Sequence, residues 1–201
     1  MDEQGEFMFG GKREPRRSRP DQPERLFYAD LLEPEMAAKV DELRAAFIRL
    51  HGLRGSLIPP HRLHLSFMKF GDFSSLSSQV VEVARRVGRR IDMPSFEITF
   101  SGIQSFEGPP PRMGEAPRRP LVLVGDCAPI KFLNGTLVKA MEGFGRRPSE
   151  GISPHVTLLY GPDMVPFTEI RPIRLTVRRV LLIHSERGLS NYNILDRWPL
   201  H

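Results

Sequence analysis

The sequence of 201 residues is poor in residues on which several protein classes depend. Cys127 is its single cysteine, which excludes an internal disulfide framework and a cysteine-based zinc site. Its apolar neighbours favour a buried, inert thiol over a nucleophile. No apolar run approaches the roughly 20 residues of a membrane-spanning helix, and the first residues lack the apolar core of a signal peptide. We therefore expect a cytoplasmic protein that does not enter a membrane.

The charged residues indicate anionic partners and an unstructured start of the chain. The net charge is +5 at pH 7, which favours anionic partners, although much surface charge only solvates a protein. Residues 1–24 combine a locally basic stretch with glycines and prolines and few large apolar residues, so we expect a disordered arm. The remaining length and a hydrophobic content of 40% suit one bilobal domain over residues 25–201.

Hydrophobic spacing predicts a unit of strand, helix and strand that occurs twice. In both units, apolar residues at three- and four-residue intervals predict the helix, and a glycine ends it. The two units have similar lengths, so we infer an internal duplication related by a pseudo-two-fold axis. The first unit comprises a strand at 26–32, a helix from Pro34 to Gly52 with an apolar stripe to Leu50, and a strand at 62–70; the second comprises a strand at 121–124, a helix at 130–144 and a strand at 155–160.

The rest of the chain adds one helix and several strands. A helix follows the first unit over about residues 76–87, and alternation predicts a strand over 96–106 with an irregularity at Gly102. Five prolines predict an exposed loop over 108–120, and the region after Ile173 is mostly strand. Helices outside antiparallel sheets are the simplest packing. We expect an α+β fold of two pseudo-symmetric lobes of antiparallel sheet with outer helices around a central cleft.

Two tetrapeptides carry the candidate chemistry: His64-Leu65-Ser66-Phe67 and His155-Val156-Thr157-Leu158. Each has a histidine and a hydroxyl residue two positions apart in a β-prone run, so both side chains point to the same face of a strand. The tetrapeptides occupy equivalent strands of the two units. We therefore expect the two histidines to lie on facing strands across a cleft.

Two histidines and two hydroxyls suit a displacement at phosphorus. An imidazole titrates near pH 6.5, so one histidine can act as a base and the other as an acid near neutrality. One removes a proton from the attacking water while the other protonates the departing oxygen. Ser66 and Thr157 would donate hydrogen bonds to nonbridging phosphoryl oxygens. This scheme needs no metal and no cofactor.

Two other interpretations of the histidines are open. A lone histidine on a strand is more often structural, and the repeated setting is what favours catalysis. A zinc site could use His61, His64, His155 and His184. Residues three apart on a strand face opposite sides, however, and no good carboxylate ligand stands beside these histidines. We therefore expect no metal.

These motifs resemble a known family. The resemblance rests on Arg25-Leu26-Phe27, the stretches 64–71 and 154–159, Tyr192 and the closing Trp198-Pro199-Leu200. In them the chain resembles the 2H phosphoesterases, particularly the bacterial 2′-5′ RNA ligase-like RNA 2′,3′-cyclic phosphodiesterases. The resemblance implies two α+β lobes around a cleft. It also implies opening of a 2′,3′-cyclic phosphate on RNA or a nucleotide to a 2′-phosphomonoester, with weak, reversible 2′-5′ joining.

The resemblance also assigns roles to residues. It implies that His64 and His155 are the acid-base pair, with His155 favoured as the base for hydrolysis and His64 as the acid. Ser66 and Thr157 would bind the phosphate, Ser66 in place of the commoner threonine. Tyr160 stands where related proteins often have an arginine, so a phosphate-binding charge is missing. Tyr160 could bind phosphate or stack on a base, although simple alternation places it on the face opposite His155.

Alternatives to this function stay open at this level. The same cleft could serve a noncatalytic nucleotide- or RNA-binding protein, or a phosphodiesterase for 2′-5′ oligonucleotides or an ADP-ribose cyclic phosphate. We expect a monomer whose partners are RNA 3′ ends or nucleotide cyclic phosphates. Five arginines are candidate substrate contacts, although plain surface charge is the commoner role for such residues. They are Arg112, Arg118, Arg119, Arg174 and Arg178.

Overall fold

The structure, a computed structural model, describes residues 24–111, 113–145, 154–186, 189 and 191–201. The arm expected over residues 1–24 lies outside this part of the chain except for Glu24, as does Arg112. The division into an arm and one domain therefore stays a prediction.

The described residues form nine strands and three α-helices, among which the predicted elements occur in the expected order. A short 3₁₀ turn covers Pro60–Arg62, so the strand expected from residue 62 begins at His64 instead. The helices are α1 (Pro34–His51), α2 (Ser78–Gly88) and α3 (Ala128–Gly143). The strands are β1 (Glu24–Leu31), β2 (Ser56–Leu57), β3 (His64–Phe73), β4 (Phe96–Ser105), β5 (Arg119–Asp126), β6 (His155–Gly161), β7 (Thr168–Val177), β8 (Arg179–Ser185) and β9 (Asn193–Pro199).

All strand pairs among the described residues are antiparallel, in the order β7-β4-β5-β6-β3-β1-β8-β9, and β2 pairs with β6. The order is symmetric about the junction of β3 and β6. We call β3, β1, β8 and β9 the first lobe, and β6, β5, β4 and β7 the second lobe. β3 and β6 pair through Leu65 and Val156. The predicted pseudo-symmetric α+β fold is confirmed.

The helices cover one face of the sheet and bury the main core. Pro34 begins α1, and Gly52 ends it with a left-handed φ of 63°, a conformation in which glycine carries no Cβ penalty. Ser77 caps α2 by accepting a hydrogen bond from the backbone N–H of Val80. The predicted apolar stripe of α1 is wrong at its end, because Leu50 is 80% exposed.

Several smaller sequence predictions can now be compared with the structure. The irregularity expected at Gly102 is present as a shift in register between β4 and both of its neighbours. The segment 180–183 is buried throughout, which explains why its pattern does not alternate. Cys127 is buried, its thiol donates to the carbonyl of Glu97 at 3.3 Å, and burial raises its pKa.

Two further findings concern the described part of the chain. None of its helices is long and apolar enough to cross a membrane. It contains no group of three or more histidine, cysteine, aspartate or glutamate side chains placed to hold a metal ion.

Candidate active site

The two motifs meet at the junction between the lobes. Leu65 and Val156 are direct partners in the antiparallel pair of β3 and β6. Extending this register by one residue in each direction sets His64 opposite Thr157 and Ser66 opposite His155. All four of these side chains are half-buried, whereas Leu65 and Val156 are fully buried on the other face. The structure therefore brings both histidines and both hydroxyls together on one face, which we call the cleft face.

A bulge in β6 changes the direction of Tyr160. Thr157 pairs with Val122 and Leu159 pairs with Leu121, so Leu158 has no direct partner in β5. Leu158 and Leu159 both enter the core, and Tyr160 returns to the face of His155. The expectation that Tyr160 lies on the opposite face is wrong, because alternation holds only in a strand without an inserted residue.

The first motif has the same irregularity. Ser66 pairs with Ala29 in β1 and Met68 pairs with Tyr28, which leaves Phe67 as the inserted residue. Phe67 and Met68 both enter the core. Lys69 consequently returns to the cleft face at the position equivalent to Tyr160. A cation and an aromatic residue thus occupy the same position in the two lobes.

Each bulge is held by a helix of the opposite unit. The amide of Asn134 in α3 donates to the carbonyl of Phe67 at 3.0 Å. The guanidinium of Arg44 in α1 donates to the carbonyl of Leu158 at 3.0 Å, as does the backbone N–H of Ile58. Arg44 is buried and also pairs with Asp41. These contacts satisfy the carbonyl groups that the bulges remove from the regular ladder.

His64 lies between aromatic side chains. The rings of Phe27 and Tyr192 have their centroids 5.1 Å and 5.5 Å from that of His64. The Nδ1–H of His64 can donate to the carbonyl of Arg62 at 2.8 Å, which leaves Nε2 as the acceptor of the neutral ring. Burial lowers the pKa of His64 to about 4, and the nearby charges of His155 and Arg62 act in the same direction. In the free protein at neutral pH, His64 is therefore neutral.

Positive charge surrounds His64 on the first lobe. The guanidinium of Arg62 lies 4.2 Å from the centre of the Tyr192 ring. Its Nε is buried and has no hydrogen-bond partner among the described residues. Arg25 also acts on His64 electrostatically, and it shares Asp72 with Lys69 at 2.7 Å and 3.3 Å. Three cations and one carboxylate give this side of the cleft a net positive charge that suits an anion.

The surroundings of His155 are different. The ring of Phe106 meets it edge to face at a centroid distance of 5.2 Å. Val124 is the direct partner of His155 in β5. Val124, Phe106 and Pro154 also line a cavity of about 680 Å³ that continues across the second lobe. His155 therefore stands at the edge of an open space.

The other predicted contacts fall in different places. The guanidinium of Arg118 lies 4.6 Å from the centre of the Tyr160 ring, so this arginine reaches the cleft face. Arg119 instead donates to the carbonyl of Pro162 at 2.6 Å and lies near Glu107. Arg174 is exposed in β7, which β4 and β5 separate from the motifs, and Arg178 is exposed after it.

The sequence reasoning assigned no role in the site to several residues that lie in it. Arg62, Lys69, Phe106 and Tyr192 lie beside the motifs or on the cleft face. Lys69 carried a usable signal, because it stands five positions after His64, as Tyr160 does after His155. Tyr192 reaches His64 from a distant part of the chain, and no local pattern indicates that contact.

Comparison with known proteins identifies the family. The model of the 2′-5′ RNA ligase superfamily matches residues 32–189. The chain belongs to this superfamily. Membership confirms the resemblance to the 2H phosphoesterases that the motifs indicated. A search of curated protein sequences finds no match.

Solved structures of other proteins show the same fold. The Thermus thermophilus protein called TT0787 has a TM-score of 0.70 at 22% identity, over 88% of this chain and 97% of that one. Escherichia coli LigT in its apo form has a TM-score of 0.64 at 23% identity, over 90% of this chain and 99% of that one. LigT has also been crystallised with NADP+, ATP, 3′-AMP and phosphate.

Proposed function

We propose that this superfamily member is a metal-independent phosphodiesterase that opens 2′,3′-cyclic phosphates of RNA ends or nucleotides to 2′-phosphomonoesters. The observation that carries the proposal is the pairing of Leu65 with Val156, whose register sets His64 opposite Thr157 and Ser66 opposite His155 across one strand junction. Two imidazoles and two hydroxyls then surround one point, as in-line displacement at phosphorus requires.

The reaction uses each group once. The oxygen of a water molecule forms a bond to phosphorus while the bond from phosphorus to the ribose 3′ oxygen breaks. One histidine accepts the proton of the water, and the other gives a proton to the departing oxygen. Ser66 and Thr157 donate hydrogen bonds to the nonbridging oxygens, where negative charge increases in the transition state. When the 5′-hydroxyl of another RNA takes the place of water, its oxygen bonds to phosphorus as the bond to the ribose 3′ oxygen breaks, so the same groups support weak 2′-5′ ligation.

Two further observations support a phosphorylated substrate. Arg25, Arg62 and Lys69 place positive charge on the side of the cleft that holds His64. This charge compensates for the phosphate-binding arginine that related proteins often have at the position of Tyr160. Crystal structures of LigT hold nucleotides and phosphate, and we infer the same class of ligand for this chain. A role in RNA processing in a bacterial cytoplasm and a monomeric state stay predictions.

An assay that resolves 2′- from 3′-phosphorylated products tests this proposal. We expect the wild-type protein to hydrolyse nucleoside 2′,3′-cyclic phosphates to 2′-products, with full activity in the presence of chelators. His64→Ala and His155→Ala should each lower kcat by about 10²–10⁴-fold, the usual value of one proton transfer. His51→Ala, which removes an exposed histidine of α1, is the matched control and should leave kcat unchanged.

Three results would contradict the proposal. Wild-type rates in either motif variant would remove the histidine pair from the chemistry. Activity that chelators abolish and a metal restores would contradict metal independence. Nucleotide binding without product from any cyclic phosphate would identify a binding protein instead.

A further inference from the structure

Two tyrosines beside the motifs each carry a guanidinium over the ring. Arg118 lies 4.6 Å from the centre of the Tyr160 ring, and Arg62 lies 4.2 Å from the centre of the Tyr192 ring. Tyr160 belongs to β6 in the second lobe, whereas Tyr192 precedes β9 and packs on the first lobe. The cleft therefore has one pair of a tyrosine and an arginine on each side. We call these four residues the tyrosine-arginine cluster.

The two pairs lie close enough to affect each other. Burial raises the pKa of Tyr192, Arg62 and Arg25 oppose this rise, and Tyr160 adds to it. The pKa of Arg25 is raised by its hydrogen bond to Asp72 and also by both tyrosines. Because such electrostatic effects weaken with distance, the phenol groups of the two lobes must approach one shared space.

The cluster lies at one end of the junction between β3 and β6. His64 and Thr157 are opposite each other in the register that Leu65 and Val156 set. Arg62 precedes His64 by two residues, and Tyr160 follows Thr157 by three. Three residues of strand extend at most roughly 10 Å. The cluster is therefore adjacent to the point that the motifs surround, and separate from it.

The cations of the cluster have few protein partners. The Nε of Arg62 is buried and has no hydrogen-bond partner among the described residues. Neither Arg62 nor Arg118 forms an ion pair within that part of the chain, whereas Arg25 and Lys69 share Asp72. A buried donor without an acceptor costs free energy, and an anion would supply the acceptor.

The groups of the cluster are those that bind phosphate. A guanidinium presents its donors in a planar fork that matches phosphate oxygens, and a phenol donates one hydrogen bond. Because burial raises the pKa of Tyr192, its hydroxyl keeps its proton at neutral pH. The motifs already surround the reacting phosphoryl group, so the cluster is available to a different phosphate.

We propose that the tyrosine-arginine cluster binds a second phosphate group of the substrate. The enzyme would then prefer cyclic phosphates that carry a further phosphate, as RNA 3′ ends do, to cyclic phosphates of single nucleosides. This inference rests on the proposed function and deepens it, because it names the substrate class. A phosphate away from the reacting bond does not change during the reaction, so the cluster acts mainly on KM.

Kinetics with matched substrates test the cluster. We compare adenosine 2′,3′-cyclic phosphate with its 5′-phosphorylated form and with the dinucleotide ApA that ends in a cyclic phosphate. The wild-type kcat/KM should be about 10-fold higher for the two substrates with a second phosphate, the lower end of what a hydrogen bond to a charged group contributes. Arg62→Met should remove this preference. Arg118→Met should reduce it about 3-fold, since Arg118 is exposed.

Conservative variants and a control separate binding from structure. Tyr160→Phe and Tyr192→Phe keep the rings on which the guanidiniums lie and remove one donor each, so each should reduce the preference about 3-fold. Arg174→Met removes an exposed arginine of β7 outside the cluster and should retain the full preference. A defect in folding or in the histidine pair lowers the rates for all substrates together and leaves their ratio unchanged.

Another substrate distinguishes the sources of the second phosphate. The cyclic phosphate of ADP-ribose carries a pyrophosphate in place of a phosphodiester between nucleosides. A higher kcat/KM for it than for the dinucleotide, lost in Arg62→Met, would support the site and identify a pyrophosphate as its ligand. A higher kcat/KM for the dinucleotide would support the site and identify RNA.

The outcomes separate this inference from the proposed function. If the wild-type protein hydrolyses all these substrates with equal kcat/KM, or if the preference persists in Arg62→Met, the second site is wrong and the phosphodiesterase stands. If it hydrolyses nothing, the proposed function fails, and dissociation constants test the cluster alone. Adenosine 2′,5′-bisphosphate should bind the wild type about 10-fold more tightly than 2′-AMP, and Arg62→Met equally. Equal binding to the wild type would overturn the inference.

Discussion

The two lobes share a backbone plan and differ in what surrounds the histidine. Each has a histidine, a hydroxyl two residues later and a bulge one residue after that, and each bulge is held by the opposite unit. Around His64, however, the face is closed by Phe27 and Tyr192 and is positively charged. Around His155 it is open and aromatic. The duplicated backbone supplies a symmetric pair of histidines, and the side chains around them give the two histidines chemically different surroundings.

The difference between the surroundings of the two histidines matters because the proposed reaction is not symmetric. Displacement at phosphorus needs a base on one side and an acid on the other, although the backbone places equivalent groups on both. Lys69 and Tyr160 show the same combination of an equivalent backbone and different side chains. They occupy equivalent positions after the two bulges, where the first lobe has a charged side chain and the second lobe has an aromatic ring. The following predictions test how far the symmetry of the two lobes extends.

The largest of these effects, a loss of kcat, is expected from removing either motif hydroxyl, and the two lobes should respond alike. Ser66→Ala and Thr157→Ala should each lower kcat about 10²-fold, the lower end of the range for losing one donor to a developing negative charge. Ser66→Thr keeps the hydroxyl and should remain close to wild type. A Ser66→Ala enzyme with wild-type kcat would show that only the second motif binds the phosphoryl group.

A smaller effect is expected from the residues that hold the bulges. Arg44→Met should lower the free energy of unfolding by about 2 kcal/mol, because a buried carbonyl loses a charged donor, and Asn134→Ala by about 1 kcal/mol. Urea unfolding measures both losses of unfolding free energy, and the m-value should stay unchanged. Arg49→Met, at an exposed position of the same helix, is the control for Arg44. Equal stability of the two arginine variants would contradict the assigned role.

The last prediction concerns the closed side of the cleft. Tyr192→Ala should open His64 to water and raise its pKa from about 4 towards 6.5, which an NMR titration of the ring would show. In the wild type, only the unfolded state binds this proton between pH 4 and 6.5, so His64 makes stability rise with pH across that window. The variant should show a shallower rise. An unchanged pKa would mean that Tyr192 does not desolvate His64.

Local sequence signals predicted the elements and the four motif residues well. Pro34 and Gly52 mark the ends of α1, Gly102 marks an irregular strand, and the period of two places each histidine with its hydroxyl. The prediction failed where a contact between distant segments controls the backbone. Tyr160 faces the cleft because the bulge at Leu158 is held by donors in α1 and in the segment before β3, about a hundred residues earlier in the chain.

The local pattern of residues was therefore enough to predict an α+β duplication and to set each histidine on the same strand face as its hydroxyl, because strand periodicity and the ends of helices depend on neighbours in sequence. The superfamily was indicated by the resemblance of the motifs to known proteins. The positive charge beside His64, the return of Lys69 and Tyr160 to the cleft and the open second lobe all came from tertiary packing. These features depend on which segments meet across the sheet, and the period of a single strand carries no information about its partners.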